Sequence, residues 1–316
     1  MAKKIILVLL SALLVVYLLK QVDVREVFRV VWAFPPRYLF AGFAFFIAGH
    51  FARAFRFKIL LREDIPFKSL FSITAVQTAA SVFMPLRSGE FSLMYLLKRE
   101  HNVDYAVGAA VIVLAKVLDF LVVATMFFIS ISTLPTVPDF FRELLPWAGG
   151  LFGLTVFSLL LLSRSREIYA KMPRFLREGP LTEGRLFENV KKVFKGAEVI
   201  RSRKTILSAL LATLLTWSFL YGSNFFVLWG VGLKLSVLEM IFLTTSMSLF
   251  ANLPIHSPGG FGTMESFWTL ILLAMGVSKP EAIATGFASH LVTTAYLLIF
   301  MLYGLRLIKL KGQEQA

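Results

Sequence analysis

Five charged residues stand inside otherwise apolar stretches: Arg87, Glu90, Lys116, Asp119 and Glu265. A charge near the centre of a bilayer costs about 2.5–3.5 kcal/mol on insertion scales, so such residues are paired or line a polar cavity. Arg87 and Glu90 fall in Met84-Pro85-Leu86-Arg87-Ser88-Gly89-Glu90, and a new short helix is expected to begin there around Ser88 and Gly89. Its unpaired amides and the positive end of its dipole would, with Arg87, suit a phosphate. The plainer alternative is that Glu90 caps its own helix and pairs with Arg87.

A second interruption, Leu253-Pro254-Ile255-His256-Ser257-Pro258-Gly259-Gly260, is followed by Phe261, Gly262 and, one turn on, Glu265. Glycines here bare the backbone for close approach by a ligand or by another helix. A dinucleotide fingerprint is excluded, because no strand precedes the glycines and the third one is missing. Lys116 and Asp119, three apart, share a helix face and can neutralise one another, as a structural pair or as part of a site. The expected substrate-binding set is therefore Arg87, Ser88, Gly89, Glu90, Lys116, Asp119, His256, Ser257, Gly259, Gly260 and Glu265. His50, Arg53 and Arg56 fall on one face near the inner end of a span, and Arg53 and Arg56 are expected to snorkel to inner-leaflet headgroups. His256 and His290 are not read as metal ligands, since the four histidines lack a paired spacing. No metal and no cofactor are expected.

These residues have to be positioned by membrane helices. With 57% hydrophobic residues in 316 and a mean hydropathy of +0.75, the chain carries more apolar surface than one soluble core could bury. Six full-length apolar spans are expected, approximately Ile5 to Leu19, Tyr38 to Leu61, Ala106 to Thr133, Trp147 to Leu162, Ile206 to Gly230 and Ala282 to Leu305. The first lacks a small-x-small cleavage site and is read as a retained anchor. Proline and glycine break two further stretches in mid-course. The chain has no cysteine, which excludes disulfides and thiolate chemistry.

The net charge of +14 points to anionic lipid headgroups rather than nucleic acid, for which no recognition module is present. Between Arg164 and Lys204 there are twelve Lys or Arg against five Glu, so the loop 163–205 is expected in the cytoplasm, with both termini on the same side. Within it Leu186, Val190, Val193, Ala197 and Ile200 recur at helical spacing, as in a basic amphipathic helix on the inner leaflet or one docked on other loops. The loop from Lys20 to Arg37, with four basic and two acidic residues, fits an outer position poorly. The charge count favours hairpins that re-enter over full crossings at the two broken stretches. Each half, 1–135 and 146–316 of a single membrane domain, then reads as helix, helix, broken hairpin, helix, in opposite orientations. An all-α integral membrane protein with six full helices and two re-entrant hairpins in an inverted repeat is the expected fold, a plan in which broken helices meet to form a substrate site.

The two breaks, together with Arg53-x-x-Arg56-x-x-x-Leu60-Leu61 and Lys116-x-x-Asp119, resemble the flippase-like family known as the lysylphosphatidylglycerol synthase transmembrane region. The most specific pieces are Pro85-x-Arg87-x-Gly89-Glu90 and Pro258-Gly259-Gly260-x-Gly262-x-x-Glu265, and the likeness runs over nearly the whole chain. The family pattern often has tryptophan where this chain has Phe57 and asparagine where it has Phe83. Members stand alone or are fused to a soluble catalytic domain, and no such domain lies in these 316 residues. The resemblance implies the transport half: movement of a phosphate-bearing glycolipid, aminoacyl lipid or polyprenyl phosphate between leaflets of the plasma membrane. Its expected partners are anionic lipids and the lipid-linked substrate, with a second copy or a separate lipid-modifying enzyme beside it. A membrane enzyme acting on lipid phosphates or lipid-linked sugars is the alternative, but no Asp-x-Asp or Ser-x-His motif supports it. A non-transporting partner subunit would leave the five charges with no purpose beyond folding.

Overall fold

The computed structural model describes residues 13, 15–21, 23–61, 64–134, 139–143, 145–146, 149–150, 152–154, 156–157, 203–251 and 257–314. Residues 15–19 are helical, and the elements that follow are α1 (Val24–Trp32), α2 (Pro36–Leu61), α3 (Phe67–Phe83), a 3₁₀ turn (Pro85–Phe91), α4 (Ser92–His101), α5 (Tyr105–Thr133), α6 (Asp139–Glu143), α7 (Arg203–Gly230), α8 (Val237–Ala251), a 3₁₀ turn (Pro258–Gly260), α9 (Thr263–Ala274) and α10 (Lys279–Glu314). Among the described residues there is no strand. Four helices are long and apolar enough to cross a membrane: Pro36–Leu61, Tyr105–Thr133, Lys204–Gly230 and Lys279–Ile308. They coincide with four of the six expected spans. Most of the expected spans Ile5 to Leu19 and Trp147 to Leu162, and the amphipathic segment 186–200, lie outside the described residues.

The long helices form because straight-chain and aromatic apolar residues run uninterrupted by proline, and in hydrocarbon a helix is what satisfies every backbone group. Large apolar side chains point outward, among them Trp32, Phe40, Leu207, Leu211 and Leu302, as suits lipid rather than water. The heart of the bundle is α2 packed along α7. Gly42 and Gly49 let the two helices approach, with Gly49 against Leu220, and the buried Ser223 hydroxyl donates to the Gly42 carbonyl at 2.8 Å.

Packing around this pair is reciprocal: α10 lies against α3, the first helix of the first broken stretch, while α5 lies against α8, the first helix of the second. The 17 residues of α3 reach about 26 Å at helical rise, short of the roughly 30 Å of a hydrocarbon core. The second broken stretch has the shorter helices α8 and α9.

The first break departs from its expected form. In place of an α-helix starting at Ser88 and Gly89, residues Pro85–Phe91 wind as a 3₁₀ turn and the α-helix starts at Ser92. Pro85 opens the turn, for which its fixed φ is suited. Gly89 is buried against the backbone of α3, and a Cβ there would lie 2.0 Å from both the carbonyl carbon and the oxygen of Ala80. Gly89→Ala must therefore push the turn off α3, and we expect a loss of at least about 1–3 kcal/mol, the usual cost of overpacking. A lowered thermal midpoint in detergent would show it, whereas Gly150→Ala, at a helical glycine with open space around it, should leave the midpoint unchanged.

Candidate functional site

Two ion pairs bind the first half of the site to the long helices. Arg56 on α2 grips Asp119 on α5 with both ends of its guanidinium, Nη1 to Oδ1 at 2.6 Å and Nη2 to Oδ2 at 3.1 Å. From α7, the Trp217 indole N–H donates to the same carboxylate at 2.9 Å, and the Thr213 hydroxyl accepts from Arg56 Nη1 at 3.1 Å. Thr213 can do so because its own hydrogen goes to the Ala209 carbonyl. One planar, bidentate contact thus joins three helices.

This overturns the expected headgroup contact at Arg56. Its side chain is 1% exposed, and His50 is equally sealed, its ring between those of Phe46 and Phe300. The face carrying them turns into the bundle because a carboxylate waits there, and paired burial replaces snorkelling. Arg53, on the same face, is half-buried.

The Lys116 and Asp119 pairing expected from their spacing resolves into two pairs with outside partners. While Arg56 takes Asp119, the Lys116 ammonium reaches Glu90 in the first break at 2.7 Å. That contact is more open, with the side chains 39% and 18% exposed. Of the other residues in this break, Ser88 is exposed and Gly89 packs on α3 as described, while Arg87 lies in the same 3₁₀ turn.

At the second break Gly259, Gly260 and Gly262 have φ of 71°, 77° and 82°, a left-handed backbone that side chains resist. The buried Ser257 hydroxyl donates to the Phe261 carbonyl at 2.6 Å and closes the turn. Phe83, at the end of α3, lies beside Gly259, and the break packs on that helix. His256 lies outside the described residues.

Glu265 is 1% exposed and lines the first of two cavities described below, with both carboxylate oxygens bonded inside the protein. One oxygen accepts the Gly262 N–H at 2.7 Å, capping α9, and the other lies 2.6 Å from Nδ1 of His290 on α10. His290 also stacks on Phe261, with ring centres 4.5 Å apart. Sequence reasoning weighed His290 only as a metal ligand and missed this role. The signal was there, since a histidine inside an apolar span is itself an ionisable intramembrane group.

Around His290 lie two cavities of about 250 Å³ each. One sits among α7, α8, α9 and α10, with Asn224, Thr244, Ser248 and Ser289 in its wall. The other joins the two breaks, with Thr78, Ser81 and Met84 from the first half and Gly259, Gly260 and Met264 from the second. His290, Met264, Ala251 and Thr293 belong to both. Among the described residues no group of three His, Asp or Glu gathers as metal ligands would.

A family profile, that of the lysylphosphatidylglycerol synthase transmembrane region, matches residues 4–300. The chain belongs to that family. As a member it is a multi-pass, all-helical membrane protein of a lipid-related family. No curated protein and no solved structure matches it. Arg56, Glu90, Lys116, Asp119 and Glu265, which lie in the stretches that carried the resemblance in the sequence, all have partners inside the protein.

The buried pair makes a sharp stability test. Asp119→Asn leaves the Arg56 guanidinium without its counter-charge, and we expect a loss of about 3 kcal/mol or more, read as a lowered unfolding midpoint in nanodiscs. The double change Arg56→Met with Asp119→Leu should recover most of it, because an apolar pair leaves no charge uncompensated.

Proposed function

We propose that the chain is a lipid transporter and not an enzyme, moving the polar head of a phosphate-bearing lipid between leaflets while the tails stay in the membrane. The observation that carries this reading is the cavity walled by both broken stretches, a mainly apolar wall in which Thr78, Ser81, His290 and Thr293 give a head polar groups against which to exchange its hydration. Reciprocal packing of α10 on α3 and of α5 on α8 supports the inverted repeat. The lengths of α3, α8 and α9 support hairpins that re-enter rather than cross.

In this arrangement Arg87 contacts the phosphate as the head enters past the first break, and Lys116 with Glu90 sits at the edge of its path. The protein resides in the plasma membrane with its termini and the basic loop 163–205 in the cytoplasm, where anionic lipids attract them. Substrate reaches it from a separate lipid-modifying enzyme.

The test is leaflet exchange in liposomes carrying labelled polyprenyl phosphate or, separately, lysyl-phosphatidylglycerol. Wild type should move one of them with the lipid chemically unaltered. Arg87→Ala should slow the exchange about tenfold, the equivalent of one charge-assisted hydrogen bond. Failure to move either lipid, or equal movement by the variant, would count against the reading, and a chemically altered lipid would replace it with the enzyme alternative.

A further inference from the structure

The walls of the two cavities define what they can hold. Among the described lining residues the only carboxylate is Glu265, and both its oxygens are engaged, by the Gly262 N–H and by His290. Neither Lys nor Arg is among those lining residues. Among these described residues a phosphate would find no counter-charge and an ammonium no open carboxylate.

What the wall does offer is hydroxyl oxygens whose hydrogens are already spent. Thr78 donates to the Thr74 carbonyl and Thr293 to the Ser289 carbonyl, within 2.8–2.9 Å, and Ser81, which donates to the Gln77 carbonyl at 2.9 Å, already accepts from the Gln77 amide at 3.0 Å and has one lone pair left. Such hydroxyls keep acceptor lone pairs. His290 meets the Glu265 carboxylate through Nδ1, which leaves Nε2 on the other side of the ring to hydrogen-bond a ligand. A Cβ on Gly260, in the wall of the second cavity, would lie 3.8 Å from that Nε2.

Donors are present as well. The Ser289 hydroxyl oxygen is buried without a partner, on a residue 4% exposed that lines the first cavity. Burying such a group unpaired is unfavourable, so a ligand oxygen is its natural complement. The Asn224 amide lies in the same wall. A group that both donates and accepts without charge matches these few polar positions, set in walls that are otherwise mainly apolar and to which Phe46 and Trp268 add ring surface. Side by side, the two cavities reach the roughly 300–1,000 Å³ range of small-molecule sites.

We propose that the paired cavities around His290 bind the hydroxyl-bearing part of the head, a sugar or similar polyol, and that the phosphate stays outside them, toward the first break. This deepens the transport reading and rests on it for the identity of the ligand as a lipid head, but its binding test does not need transport to occur.

The test uses the full chain in phosphatidylcholine nanodiscs with ¹⁵N-labelled histidine. Only four histidines are present, so the His290 signal is assigned by its absence in His290→Gln. Glucosyl diacylglycerol, phosphatidic acid and free glucose are titrated separately. The glucosyl lipid should move the His290 resonance saturably, and phosphatidic acid should not. In Ser289→Ala/Thr293→Val half-saturation should rise roughly tenfold, as expected for the loss of two hydrogen bonds. A response to glucose as well supports a site that takes the polyol without its tails, and a response to the lipid alone supports one that needs them.

The proposal is overturned if phosphatidic acid alone moves the signal, if neither sugar ligand moves it, or if the double variant binds like wild type. An unaltered His101 signal, from the bond to Ser69 at 2.6 Å, reports that the variant is folded. Should the double variant fold poorly, Ser289→Ala alone removes only an oxygen that has no protein partner and should still weaken sugar binding. Sugar binding together with absent leaflet exchange would refute transport and leave this site standing. Exchange without a His290 response would do the reverse.

Discussion

A guanidinium held away from water has to meet its counter-charge, and the position of Arg56 makes the rest of the bundle depend on that meeting. Asp119 answers from α5, and Trp217 and Thr213 complete the contact from α7. The three helices cannot slide past one another without stranding a charge, which would cost several kcal/mol. Lys116 stands three residues before Asp119 on α5 and holds Glu90 in the first break. The same helix packs on α8, where the second broken stretch begins. A single element, pinned by one buried pair, therefore sets the height of both breaks.

The second break solves the same problem of unmet polar groups by a different route. Three glycines in left-handed backbone turn the chain sharply, and the start of α9 is left with amides that helix geometry cannot pair. Glu265 takes one of these amides with one oxygen and the His290 ring with the other. That bond fixes the ring plane, and Phe261 stacks on it from the side. His290 is thus set as firmly as Asp119, but with one nitrogen left over at the junction of the cavities.

Much of this frame was legible in the sequence because its causes are local. Long runs of apolar residues predict α2, α5, α7 and α10, and the clusters around Pro85 and Pro258 predict where helices stop. Contacts made at a distance were not legible. Lys116 and Asp119 look like a pair when only helix spacing is considered, yet their observed partners Glu90 and Arg56 lie 26 and 63 residues away in sequence. For the same reason Arg56 reads as a snorkelling residue until a carboxylate is found on the inward face. The start of α4 at Ser92 rather than Ser88 follows from Gly89 resting on the Ala80 carbonyl, a closeness that no residue type announces. His290 was visible as an ionisable group in a span, but its partner lies 25 residues earlier, on the preceding helix α9.

Internal pairing of the charged side chains has a consequence for any head that enters. A cavity wall with a bare charge would bind an opposite charge tightly in a medium of low dielectric, and would release it slowly. A mainly apolar wall that carries a few hydroxyls, an amide and an imidazole offers hydrogen bonds worth about 0.5–1.5 kcal/mol each in exchange for those the head makes to water. In the transport reading that balance is what the task requires, since passage needs a site favourable enough to enter and weak enough to leave. The strong charges then hold the helices that frame the path, and the weak neutral groups line it.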